Sequence, residues 1–259
     1  MDASLDGVLT VFCDLDGTLY IGDRLIPGAL EFLERCEARG IRRFFLSNNS
    51  SRSVDQYVER LQGLGVVVTA DDILLSTHDL IAYLREAGHD RMFLLGTAGM
   101  RSMLLSAGFT LVEDEPEVLV LGYDTEMTYQ RLAAATTHLH AGVPLIASHP
   151  DIVCPAPGGG LPDVGAFLAL IEATTGVRPV HVCGKPSPSM ILHRMSSLRV
   201  APDSCAMIGD RLYTDVAMAK AAGVRSVLVL TGESTVLDVE VLPAEERPDL
   251  IVESVADLM

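Results

Sequence analysis

Short, continuous apolar runs alternate with longer amphipathic stretches along almost the whole chain. The apolar runs include residues 7–13, 41–47, 91–96 and 204–210, and residues 29–40 are an example of the amphipathic stretches. Continuous apolar strands predict a parallel sheet that is buried on both faces. Repeated strand–helix units predict an α/β fold with right-handed crossovers. We therefore expect a three-layer, Rossmann-like α/β core, in which helices cover both faces of a parallel sheet.

Polar side chains follow four of the predicted strands. Ligand sites of open parallel sheets lie at the carboxyl ends of the strands, so these side chains are candidates for one shared site. They are Asp14 and Asp16 after the first strand, Ser47 and Asn48 after the second, Lys185 after a third, and Asp210, followed by Asp215, after a fourth.

The middle of the chain lacks these polar strand ends, which suggests a domain boundary. We predict that residues 1–80 and 180–259 form the core, and that residues 81–179 form an inserted second α/β domain. The insert contains a Gly- and Pro-rich loop over residues 149–162. Long ordered loops in compact domains are often functional, so we expect this loop to take part in substrate binding.

Asp14 and Asp16 stand two residues apart, so in an extended chain both carboxyl groups point the same way. One carboxylate can attack phosphorus and form an aspartyl-phosphate. The other can protonate the leaving oxygen and then deprotonate the attacking water. Taken alone, the Asp16–Gly17 dipeptide is also a common turn signal, so a purely structural role stays open for this pair.

The predicted site would be strongly acidic. Two like charges about 5 Å apart repel by roughly 3 kcal/mol at an effective dielectric constant near 20, so a phosphate dianion would not enter unaided. A Mg²⁺ ion prefers carboxylate and water oxygens and would offset this repulsion. Lys185 and the hydroxyl group of Thr18 or Ser47 could then hold the phosphoryl oxygens.

Composition excludes several classes of protein. The chain of 259 residues has a formal net charge of −16 and no basic stripe, which argues against a nucleic-acid partner. The acidic balance also disfavours anionic membranes. No apolar run approaches the roughly 20 residues of a membrane span, and the N-terminal stretch lacks the pattern of a secretory signal. We therefore expect a cytoplasmic protein.

Four motifs occur in order: D-x-D-G-T-L from Asp14, S-N-N from Ser47, G-K-P around Lys185, and G-D-R-x-x-T-D from Gly209. This set resembles the motifs of the haloacid dehalogenase superfamily of phosphatases. The large α/β insert is similar to the cap of the NagD-like, p-nitrophenyl phosphatase branch. The resemblance spans the whole chain.

The resemblance implies a role for each motif residue. Asp14 is similar to the nucleophile, and Asp16 to the general acid and base that also contacts the metal through its backbone carbonyl. The resemblance also implies a phosphate-binding group, which consists of Thr18, Ser47, Asn48 and Lys185. It implies a Mg²⁺-binding group that consists of Asp14, Asp16, Asp210 and Asp215.

The cap loop departs from the pattern of the branch, which usually reads Asn-Pro-Asp where this chain has His149, Pro150 and Asp151. We expect His149 and Asp151 to meet the leaving group and to influence substrate specificity. A satisfied surface histidine is the alternative interpretation of His149.

These observations predict a Mg²⁺-dependent phosphatase of small phosphorylated metabolites: nucleoside monophosphates, sugar phosphates or aryl phosphates. One alternative is a phosphomutase that passes the phosphoryl group to a sugar. Another is a regulator that binds a phosphometabolite without turnover, although both catalytic carboxylates are retained here. Analogy with the family leads us to expect a homodimer through cap surfaces.

Overall fold

The computed structural model describes residues 5–156 and 158–258. The chain divides into two compact units, each with a parallel sheet. The first unit consists of the described residues within Met1–Ser47, Val58–Leu74 and Lys185–Met259, and the second consists of those within Asn48–Tyr57 and Leu75–Gly184. The α/β fold class predicted from the apolar runs is confirmed.

The strands are mostly short, and β1, β5, β8, β9 and β13 are buried along their whole length. In chain order they are β1 (Thr10–Asp14), β2 (Tyr20–Ile21), β3 (Arg24–Leu25), β4 (Arg42–Ser47), β5 (Ile73–Leu75), β6 (Arg91–Leu95), β7 (Thr110–Leu111), β8 (Val118–Leu121), β9 (Leu145–Ala147), β10 (Val153–Cys154), β11 (Leu161–Pro162), β12 (His181–Val182), β13 (Cys205–Gly209), β14 (Arg225–Val229) and β15 (Leu250–Val252).

Helices occupy most of the amphipathic stretches. They are α1 (Ala29–Ala38), α2 (Val54–Gly63), α3 (Ser76–Ala87), α4 (Ala98–Ser106), α5 (Tyr129–His140), α6 (Val164–Thr175), α7 (Ser189–Leu198), α8 (Ala217–Ala222) and α9 (Val236–Glu240). Single 3₁₀ turns occur at Ala70–Asp72, Pro202–Ser204, Ala244–Glu246 and Val255–Asp257, and a wide π turn at Leu212–Val216.

Among the described residues, the sheet of the first unit has six strands in the order β15-β14-β13-β1-β4-β5. Strand β1 pairs in parallel with both β4 and β13, with Cys13 opposite Ile208 and Asp14 opposite Leu46. This register aligns the carboxyl ends of three neighbouring strands, so the residues that follow them converge on one edge of the sheet.

Helices α7 and α8 cover one face of this sheet, where Met190 and Met218 pack with Phe12 and Met207. Helix α1 packs against β4. The central strand β1 is buried along its whole length, and its apolar residues Val11, Phe12 and Cys13 lie between Thr10 and Asp14. Strands β2 and β3 form a separate antiparallel hairpin just after β1.

The second unit contains a parallel sheet in the order β12-β9-β8-β6-β7. Successive residues of β6 point to opposite faces, as strand geometry requires. Met92 packs on one face with α3 and α4, and Phe93 packs on the other with α5 and α6. A short antiparallel hairpin, β10–β11, follows β9.

Within the described ranges, no helix combines the length and the apolar character that crossing a membrane requires.

Candidate active site

The end of β1 places the first pair of aspartates. Asp14 is the last residue of the strand and is buried, whereas Asp16 lies on the following turn and is exposed. The turn is tight: the backbone N–H of Gly17 donates to the carbonyl of Tyr20 at 2.8 Å, and Leu19 donates to Leu15 at 2.9 Å. Gly17 has a φ of 87°, which a residue with a side chain adopts only with strain.

Lys185 contacts the end of β1 from another part of the first unit. Its buried ammonium group donates to Oδ1 of Asp14, and to Oδ1 of Asp215 at 2.7 Å. Burial alone would lower the pKa of Lys185, but the adjacent carboxylates Asp14 and Asp215 outweigh that effect and raise the pKa. The lysine is therefore a fixed positive charge between two acids.

Asp210 and Asp215 follow β13. Asp210 is buried; its Oδ2 accepts a hydrogen bond from the backbone N–H of Glu233 at 2.8 Å. Asp215 lies in the π turn, and its Oδ2 accepts from the backbone N–H of Arg211 at 3.1 Å. The π turn aims the Asp215 side chain back toward the end of β13, so both carboxylates belong to the same edge of the sheet.

The acids of this cluster are poorly compensated. Burial, with a further contribution from Asp215, raises the pKa of Asp210 to about 6. Burial also raises the pKa of Asp14, and Lys185 opposes this effect only in part. Among the described residues, Oδ1 of Asp210 is buried without a hydrogen-bond partner. An uncompensated buried carboxylate oxygen is what a cation site requires.

The cluster fits a hard divalent cation. Asp14, Asp210 and Asp215 each offer a carboxylate oxygen, and these atoms lie within 4.8 Å of one another. A set made only of oxygen donors suits Mg²⁺, Ca²⁺ or Mn²⁺ rather than zinc or copper. The predicted metal-binding acids Asp14, Asp210 and Asp215 are thus brought together.

The predicted phosphate-binding residues have different surroundings. Ser47 is buried at the end of β4, on the edge of the sheet that carries Asp14. Thr18 is wholly buried, and its hydroxyl has no hydrogen-bond partner among the described residues. Asn48 belongs to the second unit, where its Nδ2 donates to Oδ1 of Asp151 at 3.0 Å.

His149 is a wholly buried residue of the second unit, not a surface histidine. Nδ1 of its ring lies 2.9 Å from the hydroxyl oxygen of Ser148, and Nε2 lies 2.9 Å from Oδ1 of Asp163. The same Asp163 oxygen caps helix α6 by accepting from the N–H of Val164 at 2.7 Å. Both ring nitrogens of His149 are therefore used within the unit.

His149, Asp151 and Asp163 also bring one possible ligand atom each within 4.8 Å. The His149–Asp163 and Asn48–Asp151 hydrogen bonds account for this grouping without an ion.

Two residues in these networks were not among the predicted site residues. Asp163 stands directly before α6, so the N-cap preference of aspartate could have identified it. Tyr20 donates from its hydroxyl to Oδ2 of Asp16 at 3.1 Å. No general sequence pattern predicts the contact between Tyr20 and Asp16, because it depends on the conformation of the turn that joins the two residues.

Known families and proteins resemble this chain over nearly its full length. A family model described as haloacid dehalogenase-like hydrolase matches residues 11–110, and a model described as HAD-hydrolase-like matches residues 182–258. The acid sugar phosphatase of Staphylococcus aureus is 32% identical over 229 residues, which cover 88% of each chain.

Solved structures extend the similarity to the fold. A crystal structure of a 4-nitrophenylphosphatase from Thermotoga maritima matches with a TM-score of 0.92 and 40% identity, over 98% of this chain and 97% of the other. A glycerol phosphate phosphatase from Mycobacterium tuberculosis, solved in complex with magnesium, matches with a TM-score of 0.89 and 29% identity, over 98% of this chain and 77% of the other.

Proposed function

Because the chain belongs to the haloacid dehalogenase-like hydrolases and is a phosphatase of that family, we propose that it hydrolyses small phosphate monoesters through an aspartyl-phosphate at Asp14. The resemblance inferred from the four motifs is confirmed. The observation that carries the mechanism is the convergence of Asp14, Lys185, Asp210 and Asp215 at one edge of the sheet.

In the first step, a carboxylate oxygen of Asp14 attacks phosphorus and the bond from phosphorus to the leaving oxygen breaks. Asp16 gives its proton to that oxygen, so an alcohol departs. In the second step, a water oxygen attacks phosphorus while Asp16 takes the water proton. The bond from phosphorus to Asp14 breaks, which releases inorganic phosphate and restores both carboxyl groups.

Lys185 and Ser47 are proposed to hold the phosphoryl oxygens. The ammonium of Lys185 is held charged between Asp14 and Asp215, and a preorganised charge of this kind stabilises the negative charge that develops during transfer. Contacts of Thr18 and Asn48 with phosphate stay predictions.

Mg²⁺ is the proposed cofactor, held by carboxylate oxygens of Asp14 and Asp210, with Asp215 in support and the backbone carbonyl of Asp16 as a further ligand. The oxygen-only donor set and the unpartnered Oδ1 of Asp210 support this assignment. When bound, the ion would offset the charge of the acids and polarise the phosphoryl group.

The relatives suggest which esters to try first. Their names refer to sugar, nitrophenyl and glycerol phosphates, so we propose sugar, polyol and aryl phosphates as the substrate class. Nucleoside monophosphates stay predictions, as do a cytoplasmic location and a homodimer. The second unit is the proposed cap, and Asp151 is its proposed specificity residue. Substrate contact by His149 stays a prediction, since this side chain is wholly buried and both of its ring nitrogens are bonded within the unit.

The test is hydrolysis of p-nitrophenyl phosphate by the wild type, Asp14→Asn and a control, Asp6→Asn, which changes an exposed surface aspartate. We expect Asp14→Asn to lose activity while its circular dichroism stays native, and Asp6→Asn to remain active. Chelation should abolish wild-type activity, and added Mg²⁺ should restore it.

Near-native turnover by Asp14→Asn would refute the mechanism. Formation of an isomer from a hexose phosphate without release of inorganic phosphate would instead identify a phosphomutase.

A further inference from the structure

The exposed carboxylate of Asp16 has a buried partner. The hydroxyl of Tyr20 donates to Oδ2 of Asp16 at 3.1 Å, and only 1% of the Tyr20 surface is exposed. The aromatic ring is thus anchored in the first unit, while its hydroxyl reaches the residue that is proposed to transfer protons.

The backbone holds Tyr20 and Asp16 in fixed register. The two residues form an isolated β-bridge, and Gly17 N–H donates to the carbonyl of Tyr20 at 2.8 Å. Tyr20 also begins the β2–β3 hairpin, where it pairs with Leu25. The tyrosine is therefore positioned by the same turn that positions Asp16.

Arg60 of helix α2 braces this arrangement from outside. Its guanidinium carbon lies 4.8 Å from the centre of the Tyr20 ring, within the range of a cation–π contact. One guanidinium nitrogen donates to the carbonyl of Gly22 at 2.5 Å, and another pairs with Asp23 at 3.2 Å. Arg60 thus ties the tip of the hairpin to the face of the ring.

A hydrogen bond to one oxygen of Asp16 has a direct consequence for proton transfer. The carbonyl oxygen of a neutral carboxyl group is a better acceptor than its hydroxyl oxygen, so the bond from Tyr20 to Oδ2 favours the proton on Oδ1. The bond also restricts rotation of the exposed Asp16 carboxyl group. General acid catalysis requires the donor to be held in line with the leaving oxygen.

We propose that Tyr20, braced by Arg60, is a positioning residue that orients the Asp16 carboxyl group for proton transfer to the leaving group. The proposal rests on the proposed function, because it needs Asp16 to act as the acid. The alternative is a purely structural role, in which Tyr20 only fills the core beneath the hairpin. The two roles predict different responses to the leaving group.

The experiment compares two substrates. A nitrophenolate leaves without a proton near neutral pH, whereas an alkoxide, such as that of glycerol phosphate, needs one. The measured quantity is kcat/KM, which reports the steps up to the first phosphoryl transfer. Tyr20→Phe keeps the ring and removes only the hydroxyl, and Tyr83→Phe, in the second unit, is the matched control.

We expect Tyr20→Phe to lower kcat/KM about tenfold for glycerol phosphate and less than about threefold for p-nitrophenyl phosphate, a part of the 10²–10⁴-fold effect typical of general acid–base catalysis. Arg60→Gln should show the same leaving-group signature to a smaller degree. Tyr83→Phe should show neither change. Thermal unfolding followed by circular dichroism checks that each variant folds.

A double-mutant cycle measures the coupling between Tyr20 and Asp16 in kcat/KM, which a purely structural role of Tyr20 would not produce. In the Asp16→Asn background, Tyr20→Phe should have no further effect on kcat/KM, because the residue through which it acts is gone.

Equal losses for both substrates, or additive losses in the cycle, would overturn the role of Tyr20. Such a result would leave the proposed function standing if Asp14→Asn is still inactive. A wild type without phosphatase activity would overturn both proposals.

Discussion

Replacement of Lys185 by methionine isolates the charge of this lysine, since methionine keeps the unbranched shape and most of the apolar volume of the side chain and lacks the ammonium group. In the wild type, the ammonium lies between Asp14 and Asp215, and the three side chains are only 5%, 10% and 1% exposed. Lys185→Met leaves two buried carboxylates without their shared positive partner. We expect a large loss of stability and of activity.

The magnitude follows from burial. Removing one partner of a buried ion pair typically destabilises a protein by about 3–5 kcal/mol, because the remaining charge is left uncompensated. Lys220→Met is the matched control in the same unit. Its partner is Asp249 at 2.6 Å, with side-chain exposures of 30% and 46%, so the expected loss is below about 1 kcal/mol.

Urea unfolding followed by circular dichroism, with and without Mg²⁺, measures both variants. The loss in Lys185→Met should shrink when Mg²⁺ is present, because the ion can offset the same carboxylates. The Lys220→Met variant should respond to Mg²⁺ as the wild type does. Equal stability of Lys185→Met and Lys220→Met without Mg²⁺ would refute the assigned charge balance of the site.

Two further predictions concern the same unit. A methyl group on Gly17 would lie 2.5 Å from Oδ2 of Asp210, so Gly17→Ala should lose phosphatase activity and Mg²⁺-induced stabilisation, as measured by p-nitrophenyl phosphate turnover and thermal unfolding. Gly40→Ala carries a similar positive φ with open space around it, and should lose only about 1 kcal/mol of stability with activity intact. Burial alone would raise the pKa of Asp249, but hydrogen bonds from its paired lysine and from Ser226 outweigh it and hold the pKa below the usual range. Asp249→Asn should therefore be less stable at neutral pH, by less than about 1 kcal/mol because the carboxylate is 46% exposed and screened by solvent, and this difference should disappear as the pH falls below about 4, which urea unfolding across the pH range would check.

The central strands were predictable because burial on both faces leaves consecutive rather than alternating apolar residues. The run at residues 204–210 becomes β13 (Cys205–Gly209), and the run at 41–47 becomes β4 (Arg42–Ser47). The acids of the site were predictable for a related reason. Parallel strands end at one edge of the sheet, so Asp14 and Asp210 were expected on that edge; they lie close together because β1 and β13 are neighbouring strands.

The surroundings of His149 were not predictable in the same way. The ring of this histidine is hydrogen-bonded to Asp163, which is 14 residues away in the sequence and also caps α6. The contact from Tyr20 to Asp16 likewise depends on the tight turn at Gly17. Apolar periodicity reports burial of strands and helices, and it carries no information on hydrogen bonds between side chains of loops.

The central claim is that Asp14 forms a covalent bond to phosphorus, and a trapping experiment tests it most directly. Wild-type enzyme with Mg²⁺ is mixed with substrate, quenched in acid within one turnover, digested, and analysed by peptide mass spectrometry. We predict a phosphoryl group on the peptide that contains Asp14, and none in the Asp14→Asn variant. Rapid release of phosphate with no phosphorylated peptide, or a phosphoryl group on a different residue, would contradict the mechanism.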